Sequence, residues 1–254
     1  MENKASLPSL SVITVVYNHV DGIERTMRSV LEQTYPHIEY IVIDGQSTDG
    51  TLEKIKACSD QIDRWVSEPD KGIYDAMNKG LAMATGTYVL FMNSGDEIWS
   101  RNTVEKIFNT QVGADIYYGE TEIFSEDGES LGRRRHHVPE TFDWRGFRMG
   151  MSICHQAIYI RRSLTEPYDK QYQLSADIDW IIKAAKKAAK IVNVHAYVAK
   201  YMQGGMSKKR HLRSLKERFL IFSRYYGFIP TLFNHLAIAL RFGWYYIRHG
   251  RTND

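Results

Sequence analysis

Leu10-Ser11-Val12-Ile13-Thr14-Val15-Val16-Tyr17-Asn18 and the later Tyr40-Ile41-Val42-Ile43-Asp44-Gly45 are the two stretches that decide the fold. Each is a short, mainly apolar and β-branched run that breaks off at polar residues, as a buried strand does where it meets a turn. Between them Ile23, Met27, Val30 and Leu31 recur at helical spacing, and Asp21 with Glu24 is expected to form an N-cap and capping box. Beyond Asp44, the residues Ser47, Thr48 and Asp49 offer caps to a second helix that carries Leu52 and Ile55. Arg64–Ser67 reads as a third strand. Gly72–Met83 reads as a helix with Ile73, Met77 and Leu81 on one face. Thr87–Met92 is a fourth strand, ending at Asn93-Ser94-Gly95-Asp96. Strand and helix alternating in this way predict parallel βαβ units. Ligands of such sheets lie beyond the carboxyl ends of the strands. Tyr17-Asn18, Asp44, Glu68–Lys71 and Asn93–Asp96 are therefore expected to converge on one edge.

The rest of the chain adds a hairpin around Glu126-Asp127-Gly128, a helix capped by Ser175 with Ile178, Ile181, Ile182 and Ala185, and a strand over Ile191–Ala199. A length of 254 residues with 43% hydrophobic content fits one large α/β domain with an appendage. The two cysteines, Cys58 and Cys154, form no C-x-x-C pair, which argues against a zinc site or disulfide framework and for a reducing compartment. Met1–Leu10 lacks the apolar core of a signal peptide. The most apolar later stretch, Gly227–Ile247, is interrupted by Asn234, His235 and Arg241, so no spanning helix is expected. No G-x-G-x-x-G occurs, which speaks against a dehydrogenase. Val16-Tyr17-Asn18-His19 is not the glycine-rich phosphate loop of a sugar nucleotidyltransferase.

Charge is distributed unevenly. Residues 208–254 hold ten Lys/Arg against two acids, leaving the remainder at −5 within a net charge of +3. Leu212, Leu215, Phe219 and Phe222 recur at helical spacing there, as do Phe233, Leu236, Leu240, Trp244 and Ile247. Basic, aromatic helices of this composition suit an anionic membrane surface, with packing on the catalytic domain or on a second copy of the chain as the alternative. Nucleic acid is a poorer match, because no binding motif accompanies the charge. We place the boundary near Gln203-Gly204-Gly205, giving a catalytic domain over 1–207 and a helical tail over 208–254.

Several motifs fall in one order: Ser11–Asn18, then Ile41-Val42-Ile43-Asp44-Gly45-Gln46-Ser47-Thr48-Asp49-Gly50-Thr51, Asn78-Lys79-Gly80, Ala84-Thr85-Gly86 and Phe91-Met92-Asn93-Ser94-Gly95-Asp96. Over roughly residues 9 to 205 the sequence resembles the family 2 inverting glycosyltransferases of GT-A fold. Ser67–Gly80 and His155-Gln156-Ala157-Ile158 are similar to the colanic-acid and O-antigen subgroup. The resemblance implies a mixed α/β sheet and an enzyme that moves one sugar, a UDP-hexose being the favoured donor. It also implies a lipid (undecaprenyl) diphosphate-linked saccharide acceptor, at the cytoplasmic face of a bacterial inner membrane. The Gln-x-x-Arg-Trp signature of processive synthases is absent, so single transfer is expected. The alternatives are a non-catalytic carbohydrate- or lipid-binding module with a decayed site, or a nucleotidyltransferase.

Such a reaction cleaves a bond to a diphosphate. A Mn²⁺ or Mg²⁺ ion held by one or two carboxylates can stabilise the charge that develops. The resemblance implies Asp96 as metal ligand, although Asn93 and Gly95 stand where the family carries acids. Tyr17, with Val15 and Asn18, is expected at the base, and Asp44 at the uracil or ribose. Asp70, Lys71, Asp75, Lys79, Asn93 and Ser94 are expected around the ribose, diphosphate and sugar. Arg133-Arg134-Arg135 reads as a solvated basic hairpin. His155, Gln156 and Trp180 are assigned to the acceptor. Inversion needs a carboxylate to take the acceptor's proton. Ser175-Ala176-Asp177-Ile178-Asp179-Trp180 resembles the family's helix start, with Ala176 replacing an acid. Asp177 is the expected base and Asp179 its competitor. Gly204-Gly205 with Ser207 resembles a loop that covers the nucleotide.

Overall fold

The structure, a computed structural model, describes residues 7–134, 137–204 and 210–249. Four strands come first: β1 (Leu10–Val16), β2 (Ile38–Asp44), β3 (Arg64–Ser67) and β4 (Tyr88–Phe91). They alternate with α1 (Val20–Leu31), α2 (Thr51–Ala57) and α3 (Ile73–Met83). Then follow β5 (Glu97–Ile98), α4 (Thr103–Thr110), β6 (Ile116–Phe124), β7 (Ser130–Arg133), β8 (Ile158–Arg161), α5 (Ala176–Lys187) and β9 (Ile191–Met202). Two helices, α6 (His211–Tyr226) and α7 (Phe228–His249), end the described chain.

Among the described residues the strands form one mixed sheet in the order β3-β2-β1-β4-β8-β6-β9-β5, with β7 paired to β6. β3, β2, β1 and β4 are parallel, in a register that sets Val16 and Ser67 both beside Asp44. Their carboxyl ends therefore share one edge, where Tyr17, Gly45, Glu68 and Asn93 emerge. β8 turns the sheet antiparallel against β4 and β6.

Period-two alternation divides the core. Ile13, Val15, Ile41, Ile43, Val89 and Phe91 face α3 and α5, while Leu10, Val12, Val16, Tyr40, Val42 and Leu90 face α1, α2 and α4. Gly80 explains part of the Asn78-Lys79-Gly80 motif. A Cβ there would lie 2.4 Å from Ile13 Cγ2, so only glycine lets α3 rest this closely on β1.

Two expected caps are made differently. Helix α1 starts at Val20, and its first N–H groups are held from the α2 side. His19 N donates to Thr51 Oγ1 (3.1 Å) and Val20 N to Asp49 Oδ2 (3.1 Å). Glu24 pairs instead with Lys54 and Arg28. Ser175 occupies the N-cap of α5 without a side-chain cap bond, and its hydroxyl lies 3.3 Å from that of Ser214 on α6.

That last contact belongs to a larger one. Ile221 and Phe222 of α6 are buried in the same core as α5, and Tyr225 donates to the buried carboxylate of Asp179 at 2.6 Å. Glu217 accepts the N–H groups of Gln173 and Leu174 just ahead of α5. The composition shift near residue 207 thus marks a change of surface, with α6 packed into the body of the fold. Gly227 (φ +88°) breaks the chain direction, and Pro230 sits in the first turn of α7, where a missing N–H costs no helix bond. No helix among the described residues is long and apolar enough to cross a membrane.

Candidate active site

Asp177 stands in the first turn of α5, at the edge where the parallel strands end. Its Oδ1 accepts from the Tyr74 hydroxyl of α3 at 3.2 Å, and its Oδ2 faces His155 Nδ1 at 3.6 Å. The His155 Nε2 lies 3.1 Å from the Asn93 Nδ2. His155 thus bridges Asn93 through Nε2 and Asp177 through Nδ1. Asp177 keeps 20% of its side chain exposed and His155 15%, enough for a substrate atom to reach both. Burial, the largest influence on Asp177, pushes its pKa up. The hydrogen bond and charge of His155, the Arg218 charge and the Tyr74 hydroxyl together bring it below the ordinary carboxylate value. At neutral pH the group is an anion held in place by these neighbours.

His155 and Gln156 are adjacent in a short 3-10 turn (His155–Ala157) but point to different aspartates. Gln156 is 2% exposed and donates through Nε2 to Asp96 Oδ2 at 2.6 Å, so it braces the interior and offers nothing to an acceptor. Asp96 is 5% exposed, and its other oxygen accepts the Met202 N–H at 2.9 Å. Burial raises its pKa to about 6, against the opposing hydrogen bonds from Met202 and Gln156. Both carboxylate oxygens are engaged, and the group is closed off from solvent. These residues do not fit the Mn²⁺ or Mg²⁺ expected at Asp96. The carboxylate ties β5 and the end of β9 to the His155 turn.

Trp180 is likewise internal. It is 2% exposed, stacks on Tyr168 at 5.0 Å between centroids and donates to the Glu166 carbonyl. It presents no face to a sugar. Asp179, the competing base, is 1% exposed and bonded to Tyr225 and Lys183.

On the donor side, Tyr17 leaves β1 with its ring 67% exposed. It stands beside Gly45, where a Cβ would lie 3.2 Å from the Tyr17 ring and 3.0 Å from Asp70 Oδ2. Tyr17, Gly45 and Asp70 form an open notch with an aromatic wall and one carboxylate, a shape suited to a planar base. Asp44 does not face it. This carboxylate is fully buried and accepts from Ser47 Oγ and Ser67 Oγ, both at 2.5 Å, so it fastens the loop after β2 to β3. The Val15 side chain lies in the core and its carbonyl accepts the Ser94 N–H. Asn18, at φ +47°, accepts the Thr48 N–H through Oδ1 and pins the same loop. Ser94 Oγ contacts His19 Nδ1 at 3.1 Å.

Lys79 reaches Glu68 (2.8 Å), Asp70 (2.6 Å) and the Pro69 carbonyl (2.9 Å), so its charge orders the loop after β3. Asp75 is held by Lys170 and the Lys71 N–H, which keep its pKa low. Lys71 is exposed, and its ammonium makes no hydrogen bond or ion pair with a described residue. Arg133 pairs with Glu120, and Arg134 donates to the carbonyls of Ser152 and Met151. Arg135, Gly205 and Ser207 lie outside the described residues. A separate cavity of about 730 Å³, lined by Arg28, Trp99, Arg101 and Lys200, shares no residue with the Asp177 cluster. Those three cations are paired with Glu24, Glu32 and Glu97.

Of the sequence-predicted residues, then, Asn93, His155 and Asp177 come together. Tyr74 joins them unforeseen. Its place one turn before Asn78 on α3 was readable, but as a helix position rather than as a partner of Asp177.

The sequence matches the model of glycosyl transferase family 2 over residues 11–166. The chain belongs to this family. A glycosyltransferase of Mycobacterium tuberculosis described as uncharacterised is 36% identical over 186 residues, 71% of this chain and 70% of the relative. A Mycobacterium bovis glycosyltransferase of PGL/p-HBAD biosynthesis is 30% identical over 211 residues, 79% of each. Among solved structures, Staphylococcus aureus TarS 1–349 with UDP aligns with a TM-score of 0.63 at 18% identity, over 85% of this chain and 64% of that one. The mannosyltransferase PcManGT of Pyrobaculum calidifontis, in complex with GDP-Man and Mn²⁺, aligns with a TM-score of 0.61 at 16% identity, over 96% and 76%. At such identities the likeness is one of fold, and the fold is GT-A.

Proposed function

We propose that this family 2 enzyme performs a single inverting transfer of a hexose from a UDP-sugar to a lipid-diphosphate-linked saccharide, in the assembly of a bacterial surface polysaccharide. The observation that carries the reading is Asp177: an ionised, partly open carboxylate fixed between the Tyr74 hydroxyl and His155 Nδ1 where the parallel strands end. In this reading Asp177 accepts the proton of the acceptor hydroxyl as that oxygen attacks the anomeric carbon. His155, itself held by Asn93, orients the carboxylate and keeps it ionised until the proton arrives. The notch of Tyr17, Gly45 and Asp70 takes the base, and Lys71 offers countercharge to the diphosphate.

The surface-glycan setting is supported by the PGL/p-HBAD relative, and the UDP donor by the UDP complex of a fold neighbour. The membrane setting is supported by α7. Ile229, Leu232, Phe233, Leu236 and Leu240 share one face of it and are each at least half exposed. Such a row next to a basic sequence suits the anionic cytoplasmic leaflet.

Asp177→Asn tests the chemistry. The amide still accepts from Tyr74 but cannot take a proton. Turnover should fall by about 10²–10⁴-fold while UDP-sugar affinity stays within about threefold, less than the 1.4 kcal/mol of a tenfold change. Turnover retained in the variant would remove Asp177 from the role of base.

A further inference from the structure

Helix α6 meets α5 along the stripe Ser214, Arg218 and Phe222, spaced four residues apart and hence on one face. Ser214 and Phe222 are buried, at 3% and 2% exposure. Arg218, between them, is exposed. Arg218 is thus an exposed cation set between two buried positions of the helix face that meets α5. Three contacts fix its location. Ser214 touches Ser175 at the N-cap of α5, Glu217 accepts the N–H groups of Gln173 and Leu174, and Asp177 stands in the first turn of the same helix. Arg218 forms no hydrogen bond or ion pair with any described residue, yet its charge is felt at Asp177. The other arginine beside this cluster, Arg134, is committed to two backbone carbonyls.

An exposed guanidinium without a partner among the described residues is matched to a phosphoryl group, which it can grip through two parallel hydrogen bonds. Direct pairing with Asp177 would quench a base. Standing off from it leaves the carboxylate free and the guanidinium ready for another anion. Arg218 also comes from outside the family-matched segment, residues 11–166.

We propose that Arg218, delivered by α6, is a second phosphate-binding cation of the active site, besides Lys71, and holds a phosphoryl group of a bound substrate beside Asp177. The proposal rests on the glycosyltransfer reading above. The phosphate can belong to the donor diphosphate or to the lipid-diphosphate acceptor, and the experiment separates them.

Arg218→Ala and Arg218→Lys are compared with the wild type. UDP and uridine are titrated by calorimetry. Transfer is followed with farnesyl-diphosphate-linked N-acetylglucosamine and with octyl N-acetylglucosaminide, which carries no phosphate. Since Arg218 is exposed, both variants should keep the wild-type melting temperature, and lysine should restore part of the loss. A loss of roughly tenfold or more for UDP in Arg218→Ala, with uridine unchanged, supports the assignment with the donor as source. An unchanged UDP affinity, with KM raised to a similar degree for the diphosphate acceptor alone, supports it with the acceptor as source. Wild-type transfer combined with unaltered preference for phosphate on both sides overturns the Arg218 assignment alone. An acid limb of the pH profile that moves up without any change in phosphate preference does the same, because it reduces Arg218 to a distant tuner of Asp177. Wild-type protein that binds neither UDP nor either acceptor overturns the glycosyltransfer reading and this assignment together.

Discussion

Replacing Asp96 by asparagine should make the protein relatively more stable as the pH rises. Asp96 is 5% exposed, and burial lifts its pKa from the ordinary 3.8 to about 6. A carboxyl whose folded pKa is the higher binds more protons folded than unfolded between those values, so the wild type loses stability as pH climbs through that window. At about 1.4 kcal/mol per pKa unit the whole effect is about 3 kcal/mol, and about 2 kcal/mol of it falls between pH 4.5 and 7.5. The asparagine variant has no proton to lose. Its amide can accept the Met202 N–H, and Gln156 can turn its own carbonyl, which is buried and unpartnered, to meet the new N–H₂ group. Urea unfolding of both proteins at the two pH values gives the difference directly, and subtracting the wild type removes the other titrating groups. The variant should gain about 2 kcal/mol on the wild type from pH 4.5 to 7.5. Adding Mn²⁺ at pH 7.5 should stabilise the two equally, since a ligand raises stability only through groups that bind it. A difference that stays flat with pH, or a Mn²⁺ stabilisation confined to the wild type, would refute the picture of Asp96 as a closed internal brace and restore it as a metal ligand.

Other expectations follow from the same geometry. His155→Gln and Tyr74→Phe each remove an influence that lowers the Asp177 pKa, so the acid limb of kcat against pH should move upward in both, further for His155, whose influence is the larger. Gly80→Ala sets a Cβ 2.4 Å from Ile13 Cγ2 and should cost about 1–3 kcal/mol by overpacking, read as a lower melting temperature with KM unchanged. Trp180→Phe should likewise lower stability through the lost Glu166 hydrogen bond and the smaller ring against Tyr168, while the acceptor KM stays put. Leu236→Glu with Leu240→Glu should abolish sedimentation with phosphatidylglycerol vesicles and leave UDP binding intact, because both side chains are exposed on α7.

What the sequence disclosed and what it withheld divide along a physical line. Apolar period and polar strand ends are local properties, and they were enough for β1 to β4, for the helices between them and for the edge at which Tyr17, Gly45, Glu68 and Asn93 emerge. The position of Asp177 in a first helical turn was legible for the same reason. Whether a polar residue at that edge looks outward or inward depends on partners far away in the chain. Asp44 and Asp96 occupy strand ends just as a ligand-binding acid would, and nothing in their neighbours' identity reveals that Ser67 and Gln156, 23 and 60 residues off, turn them inward. Lys79 and Asp70 carry the charges expected of a donor site but spend them on each other. The same logic applies at the far end. Composition sets residues 208–254 apart as a tail, and the burial of Ile221 and Phe222 in the core that holds α5 gives α6 the packing alternative. A carboxylate at a strand end in this fold is therefore better judged by whether its donors leave it a side open to solvent than by its motif. Judged so, Asp177, with one hydroxyl, one imidazole and an open side, is the acid left free to act.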